Sequence, residues 1–322
     1  MSKDLVIVES PAKARTVGRF LGPKYEVVAS MGHVRDLANT GEGQLGIDII
    51  EDGQDGLFSF HPTWSAIVDS RTKKVDQRKK KIVADIKKIA SKAETIYLAT
   101  DADREGEAIS WHLLSAAKID QSKTKRVVFH EITQSAVKEA FENARELDLN
   151  LVDAYQARVM LDKIIGFKGS WVLWKKVKSK ISAGRVQSVA LKMVVDRTRE
   201  VTAFVPREYW LIEAFFVTES GQSLKALLVG TWENDHLQKL SMSNETEATS
   251  VASQFISSHF NVQDIQVKPV KYKPGAPFTT STLQQEAYRK LRYSAKKTMA
   301  LAQQLYEGVD VQNSNTGGLI TY

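Results

Sequence analysis

Cysteine is absent from the 322 residues, which excludes a disulfide scaffold, a thiol nucleophile and any cysteine-ligated zinc or iron–sulfur centre. Long apolar runs are absent too. Nothing approaches the roughly 20 residues that span a bilayer, and the apolar run Leu5–Val8 is too short for a secretory signal. There is no Walker loop, no His-Glu-x-x-His, no Gly-x-Ser-x-Gly and no internal repeat, and the six histidines show no ligand spacing. The expectation is a soluble, cytoplasmic chain without a membrane partner. Its 43% hydrophobic and 26% charged residues mark it as globular, and 322 residues suffice for two or three domains.

Positive charge is in excess: 45 Lys and Arg against 38 Asp and Glu, a net +7. Its distribution is uneven. Between Arg71 and Lys92, ten basic residues, Lys73 among them, face only Asp76 and Asp85, so the rest of the chain is slightly acidic. Ile82, Ile86 and Ile89 recur at helical spacing through that run, and a solvated helix face over an apolar stripe accounts for it. A second run, Lys163 to Arg185, has seven basic residues, no acid, and Trp171 and Trp174 among them. Cations interleaved with indoles suit a single-strand nucleic-acid groove, where cations meet phosphates and rings stack on bases. Trp171 in a core is the competing reading.

The first third alternates strand and helix patterns. Leu5–Val8 reads as a buried strand ending at Glu9, and Ser10-Pro11 supplies a cap and a first-turn proline for a helix through about Phe20. Thr95–Thr100 is a second buried strand, followed by Asp101-Ala-Asp-Arg-Glu-Gly106 and a helix to about Ala117. Arg126–Phe129 is a third, and Thr133 caps the next helix. Repeated units of this length imply a mostly parallel sheet with its site at the carboxyl ends of the strands, where Glu9 and Asp101 both lie. Leu149 to about Arg199 reads as helical, Tyr209–Val217 and Leu224–Val229 as strands, Lys271–Pro277 as a linker, and Ser281–Glu307 as a helical tail.

Gly41-Glu-Gly43-Gln-Leu-Gly46 matches the dinucleotide fingerprint only on paper, because it follows no strand and opens no helix. Asp101-x-Asp103-x-Glu105 is different. Three carboxylates within five residues repel one another unless a hard cation or a proton neutralises them, and Mg²⁺ suits such a cluster. An acidic helix start is the alternative. If Glu9 joined them, its ionised form would be disfavoured, making it a candidate general acid.

These residues carry a resemblance. Glu9 with Ser-Pro-Ala-Lys13, Met31-Gly-His33 and Ala99-Thr-Asp-Ala-Asp-Arg-Glu-Gly-Glu-Ala108 resemble the toprim domain of type IA DNA topoisomerases. The resemblance continues through Ala157-Arg158, Asp162, Ser182–Leu191, Pro277–Ala287, Ala302-Gln303 and Leu305–Gly308 to Gly318-Leu-Ile-Thr-Tyr322. Ser-Ala-Gly-Arg-Val-Gln-Ser-Val-Ala is most similar to the bacterial topoisomerase I branch.

The resemblance implies an ATP-independent, monomeric enzyme of the nucleoid that relaxes negatively supercoiled DNA through a transient 5′-phosphotyrosine. Tyr322 would be the nucleophile, Lys13 would stand beside the phosphate, and Glu9 would donate a proton to the departing 3′-oxygen. Glu9, Asp101, Asp103 and Glu105 would hold Mg²⁺. Arg104, Gln303, Glu307 and Thr321 would shape the pocket. His33, Arg158, Val159, Asp162, Phe167, Trp174 and the segment Ser182, Ala183, Gly184, Arg185, Val186 and Gln187 would line the single-strand groove. Arg158 and Asp162 stand at i,i+4 spacing and also suit a simple helix-face pair.

The fold implied is an α/β toprim domain over residues 1–147, then a helical portion (148–206), a β-rich portion (207–272) and the start of a tyrosine-bearing domain (273–322), closing into a toroid in a complete enzyme. The family continues past its tyrosine with Met-Arg-Thr-Asp-Ser, so the sequence reads as an amino-terminal part with apolar surface exposed from about residue 149 onward. Val159 and Phe167 stand where the family commonly has arginine and tyrosine. A toprim primase or nuclease, or a fragment that only binds single strands, are the other readings.

Overall fold

The computed structural model describes the chain except residues 1–2, 53–55, 70, 73, 235, 310–316 and 322. Its first compact unit comprises residues 1–189 and 277–322, and its second residues 190–276. The sequence divides instead near 147, 206 and 272.

The first unit is organised by a strand that is apolar along its whole length. In β1 (Asp4–Val8), Leu5, Val6, Ile7 and Val8 are all fully buried, as a strand covered on both faces requires. α1 (Pro11–Leu21) follows at once, with Ser10 as its cap and Pro11 at its first position, and leads to β2 (Tyr25–Ala29). β3 (Arg35–Leu37), β4 (Ile47–Asp52), β5 (Leu57–Pro62) and β6 (Trp64–Ala66) come next. They pair antiparallel, β3 with β6 and β4 with β5. The basic helix α2 (Gln77–Ala90), β7 (Ile96–Leu98), α3 (Arg104–Ala117), β8 (Thr124–Arg126) and α4 (Gln134–Glu142) complete the α/β part.

Four strands form one parallel sheet in the order β2-β1-β7-β8. Successive side chains of β1 point to opposite faces. Leu5 and Ile7 pack with Ile86 of α2 and Leu113 and Leu114 of α3, while Val6 and Val8 pack with Val17 of α1 and Val137 of α4. The parallel toprim-type sheet with flanking helices is as expected. The third strand is shorter and earlier than the sequence indicates, because Val127 and Phe129 enter the core beyond the ladder. The four short antiparallel strands between Arg35 and Ala66 were not legible, and Gly41–Gly46 lies among them as a connection with positive φ at all three glycines.

The helical stretch is α5 (Leu149–Ile164), a π-turn over Ile165–Gly169, α6 (Ser170–Lys176) and α7 (Arg185–Ala203), the last continuing into the second unit. That unit contains two antiparallel ribbons, β9 (Glu213–Val217) with β10 (Ser223–Leu227) and β11 (Gly230–Glu233) with β12 (His236–Lys239), and α8 (Glu245–Phe255). Phe215 and Val217 are about three-quarters exposed, in line with the expected apolar surface. The helical tail divides into α9 (Thr280–Leu291) and α10 (Ala295–Glu307), separated where Arg292 adopts a left-handed conformation and Ser294 caps the next helix. Among the described residues, no helix is long and apolar enough to cross a membrane.

Candidate active site

Strand order reverses direction at β1: the chain leaves it for β2 on one side and reaches β7 on the other. The crevice beyond the carboxyl ends of β1 and β7 is the switch point where such sheets bind ligands. Glu9 and Asp101 meet there, the Asp101 amide donating to Glu9 Oε1 at 2.7 Å. One turn into α1, Lys13 is buried, its ammonium donating to Asp101 Oδ1, 4.0 Å from Glu9 Oε2 and 5.3 Å from the centre of the Tyr306 ring. Burial, reinforced by the Asp101 carboxylate, pushes the Glu9 carboxyl up to about 7 against the opposing pull of Lys13. A group that shares its proton near neutrality is suited to acid–base work.

The acidic run is spread, not gathered. Asp103 caps α3, accepting from the Gly106 amide at 2.7 Å. Position 106 admits only glycine, since a Cβ there would lie 2.2 Å from the Asp101 carbonyl oxygen. Arg104 is exposed, and Glu105 is exposed with Oε1 3.5 Å from His33 Nε2. His33 stacks on Tyr155 at 5.1 Å between ring centres, its Nε2 3.2 Å from the Tyr155 hydroxyl. Burial lowers the His33 pKa and raises that of Tyr155 to about 12. The structure therefore joins Glu9 to Asp101 and Glu105 to His33. Among the described residues no three acidic or imidazole side chains converge as a metal cage.

Two further residues hold this crevice, and sequence reasoning passed over both. Arg126 is fully buried and donates to the carbonyls of Leu98 (2.9 Å), Thr100 (2.8 Å) and Val127 (2.7 Å), to that of Asp101, and to Glu107 Oε1 (3.0 Å). Glu107, also buried, accepts from Arg145 and from the Asp148 amide at 3.2 Å. Asp148 is the cap of α5, so one carboxylate ties the acidic loop to the helix that carries Arg158 and Asp162. The available signals were an arginine opening the apolar run Val127–Phe129 and a fourth acid in the run.

Along α5 to α7 the expected groove residues divide. Arg185 clasps Asp162 with two bonds, of 2.6 and 3.1 Å, while Arg158 stands 3.9 Å from the same carboxylate. Ser182 Oγ donates to Gln187 Oε1 at 3.2 Å, and the Ala183 amide to Ser170 Oγ at 2.9 Å, which folds the Ser182–Gln187 segment back onto α6. The Trp174 indole N–H donates to the Ile181 carbonyl. Phe167, on the π-turn, and Trp171 and Trp174 are about half exposed, and cations lie over the first two: Lys163 over Phe167 and Lys175 over Trp171. Half-exposed Trp171 removes the core reading. Val159 is different from its neighbours, packing with Leu37, Leu45 and Ile47 in a small apolar cluster.

The late segment closes the site from the other side. α10 buries Tyr306 in the same cluster as Val6 and Val8, and Glu307 Oε1 accepts from Ser10 Oγ (2.7 Å) and Gln303 Nε2 (3.0 Å). A cavity of about 350 Å³ is lined by Asp101, Asp103, Phe129, His130, Gln303 and Tyr306. The Gly318 amide donates to the Ile132 carbonyl and the Leu319 amide to the Leu305 carbonyl, each at 2.7 Å, and Thr321 Oγ1 donates to the His130 carbonyl at 3.0 Å. Tyr322 lies outside the described residues. A Cβ on Gly318 would stand 2.4 Å from the Tyr306 carbonyl oxygen. Gly318→Ala is therefore expected to lower stability by about 1–3 kcal/mol in urea melts; an unchanged midpoint would mean that the segment is not held against α10.

A family model described as DNA topoisomerase matches residues 146–322, and one described as Toprim domain matches residues 4–132. Among solved structures, full-length topoisomerase I from Thermotoga maritima is 39% identical with a TM-score of 0.73, over 96% of this chain and 47% of that one. The chain thus spans about half the length of that relative.

Proposed function

The chain belongs to the type IA DNA topoisomerase family, and from that membership we propose that it carries the strand-cutting centre of an enzyme that relaxes underwound DNA by cleaving and resealing one strand. The observation that carries the reading is the Glu9–Lys13–Asp101 cluster at the sheet's switch point, with α10 and the 317–321 segment clamped over it. The primase or nuclease reading is not favoured, since it has no use for a topoisomerase region over residues 146–322.

In this reading the Tyr322 oxygen attacks a backbone phosphorus, the bond from phosphorus to the 3′-oxygen breaks, and the 5′-phosphate stays on the tyrosine. The bond energy is kept, so no nucleotide is hydrolysed and the reversal reseals the strand. A free tyrosine has a pKa near 10, so its attack needs nearby positive charge. Lys13 supplies it within reach of the cavity, and release from Asp101 would turn the ammonium to the phosphate. Glu9, protonated in part at neutral pH, gives its proton to the departing 3′-oxygen and takes it back on resealing. Gln303 and Glu307 orient groups at the cavity rim.

The donors at the crevice are anionic oxygens, and the charge that disfavours ionised Glu9 is what a hard cation relieves, so these residues fit Mg²⁺. With no three-sided cage among the described residues, the fit is to an ion taking Asp101 and Asp103, with Glu9 or Glu105 beside them, and keeping several waters. When bound, Mg²⁺ would supply charge neutralisation at the phosphate and hold the cut ends for resealing. The DNA strand approaches along Phe167, Trp171, Trp174 and Arg158, whose rings stack on bases and whose cations meet phosphates.

The test is a labelled single-stranded oligonucleotide incubated with the chain, quenched in denaturant and resolved for protein-linked DNA. The wild type is expected to give an adduct and Tyr322→Phe none. An adduct that survives Tyr322→Phe would overturn the nucleophile.

A further inference from the structure

The basic run of α2 is not absorbed by this site. Among the described residues from Arg71 to Lys92, no cation forms a salt bridge, and the Asp76 carboxylate is spent as the helix cap, accepting from the Arg78 and Lys79 amides at 2.8 and 3.2 Å. Lys80 and Lys87 are exposed on one flank, away from Ile82, Ile86 and Ile89, which pack into the core. That flank borders a groove whose cations are Arg35, Lys74, Lys79 and Lys80 over a floor of Val34, Val83 and Ala116. Arg35 is fixed there by stacking on Trp111 and donating to Ser115 Oγ. Lys79 donates to the Met31 carbonyl, two residues from His33, so the groove adjoins the loop that faces Glu105.

Unbalanced charge of this density costs self-repulsion, which a polyanion relieves. Two features select the polyanion. No aromatic residue lies on α2 or lines the groove, so the face reads phosphates and not bases, unlike the aromatic-rich stretch from Phe167 to Trp174. Lys80 and Lys87 lie two helical turns apart on one flank, about 10 Å along the axis, so their flexible side chains can meet two phosphates of one backbone at once.

We propose that the cationic flank of α2, with Arg35 and Lys74, is a duplex-DNA backbone site that grips the double-stranded region adjoining the strand to be cut. It rests on the DNA reading above but is a separate site. It changes the account of this run from a solvated helix face to a second anchor.

The experiment measures binding of the full chain to a short single strand and to the same strand extended by a hairpin duplex, across a salt series. The triple variant Lys74→Gln, Lys80→Gln, Lys87→Gln removes three exposed cations; the corresponding triple Lys→Arg variant keeps the charge. For the hairpin-tailed DNA, the Gln variant is expected to bind at least tenfold more weakly. Its slope of log affinity against log salt should become shallower by up to about 3, and the Arg variant should restore both. Single-strand affinity should stay within twofold. An unchanged slope overturns the proposal in favour of a solvated face, and equal loss on both DNAs overturns it in favour of the single-strand path. Competition by phosphatidylserine vesicles as effective as by the hairpin overturns it in favour of a membrane surface. Failure of the wild type to bind either DNA would instead remove the DNA reading itself.

Discussion

Arg126→Met is expected to destabilise the first unit by about 3–5 kcal/mol, the scale for breaking one side of a buried ion pair. The guanidinium is the shared donor for four carbonyls at the ends of β7 and β8 and for the Glu107 carboxylate, and methionine leaves all of them short of a partner in a region sealed from water. Arg145 stays on Glu107 but is partly exposed, so it offsets only part of the lost charge. The pair Arg126→Met and Glu107→Leu should recover only part of the loss, because it removes the under-compensated buried carboxylate but leaves the four carbonyls, Arg145 and the Asp148 amide without those partners. Urea melts of the two variants at pH 7 measure both. A single-variant loss below about 1 kcal/mol would mean that water reaches the guanidinium's acceptors.

Glu9→Gln is expected to move stability and activity in opposite directions. The Glu9 carboxyl ionises near 4.5 in the unfolded chain and at about 7 in the folded one. Between those values the folded state holds a proton that the unfolded state has lost, so stability falls as pH rises from about 4.5 to 7 and is level above that. Glutamine carries no such charge. The variant should therefore match the wild type near pH 4 and exceed it at pH 8, by on the order of 3 kcal/mol. It also has no proton to give, so adduct formation should fall by about 10²-fold or more below pH 7, where the wild-type carboxyl is protonated, and by less as pH rises above it. Thermal melts at pH 5 and 8, set beside adduct yields, separate the two effects. A variant less stable than wild type at pH 8 would show that Glu9 is held as a favourable anion.

Much of the centre was legible because it is local in sequence and sits at strand ends. A continuous apolar run marks a doubly covered strand, so Glu9 and Asp101 could be placed together from Leu5–Val8 and Thr95–Thr100 alone. The distribution of the acids could not be read. Asp103 serves as a helix cap and Glu105 turns to His33, and both choices depend on backbone direction after β7. Arg126 and Glu107 were missed because their partners are backbone carbonyls and residues up to 41 positions away. Tyr155 escaped notice for the same reason, its partner His33 lying 122 residues earlier. Val159 was placed in the groove by the resemblance alone; its packing against Leu37 and Ile47 was not legible, since those residues lie more than a hundred positions earlier.

The closure of the late segment over the sheet has a mechanical consequence. It is made by the bonds from Ser10 and Thr16 to Glu307, from Gly318 to Ile132 and from Thr321 to His130, with Tyr306 and Ile320 as its apolar inserts. At about 1 kcal/mol net for each hydrogen bond and about 1.5–3 kcal/mol for each apolar insert, the closure rests on a handful of contacts, where the sheet beneath rests on fully buried strands. The segment is a clasp: it springs before the frame that carries it yields. In the proposed reading, such a clasp would let a severed end be released and retaken without losing the crevice in which it was cut.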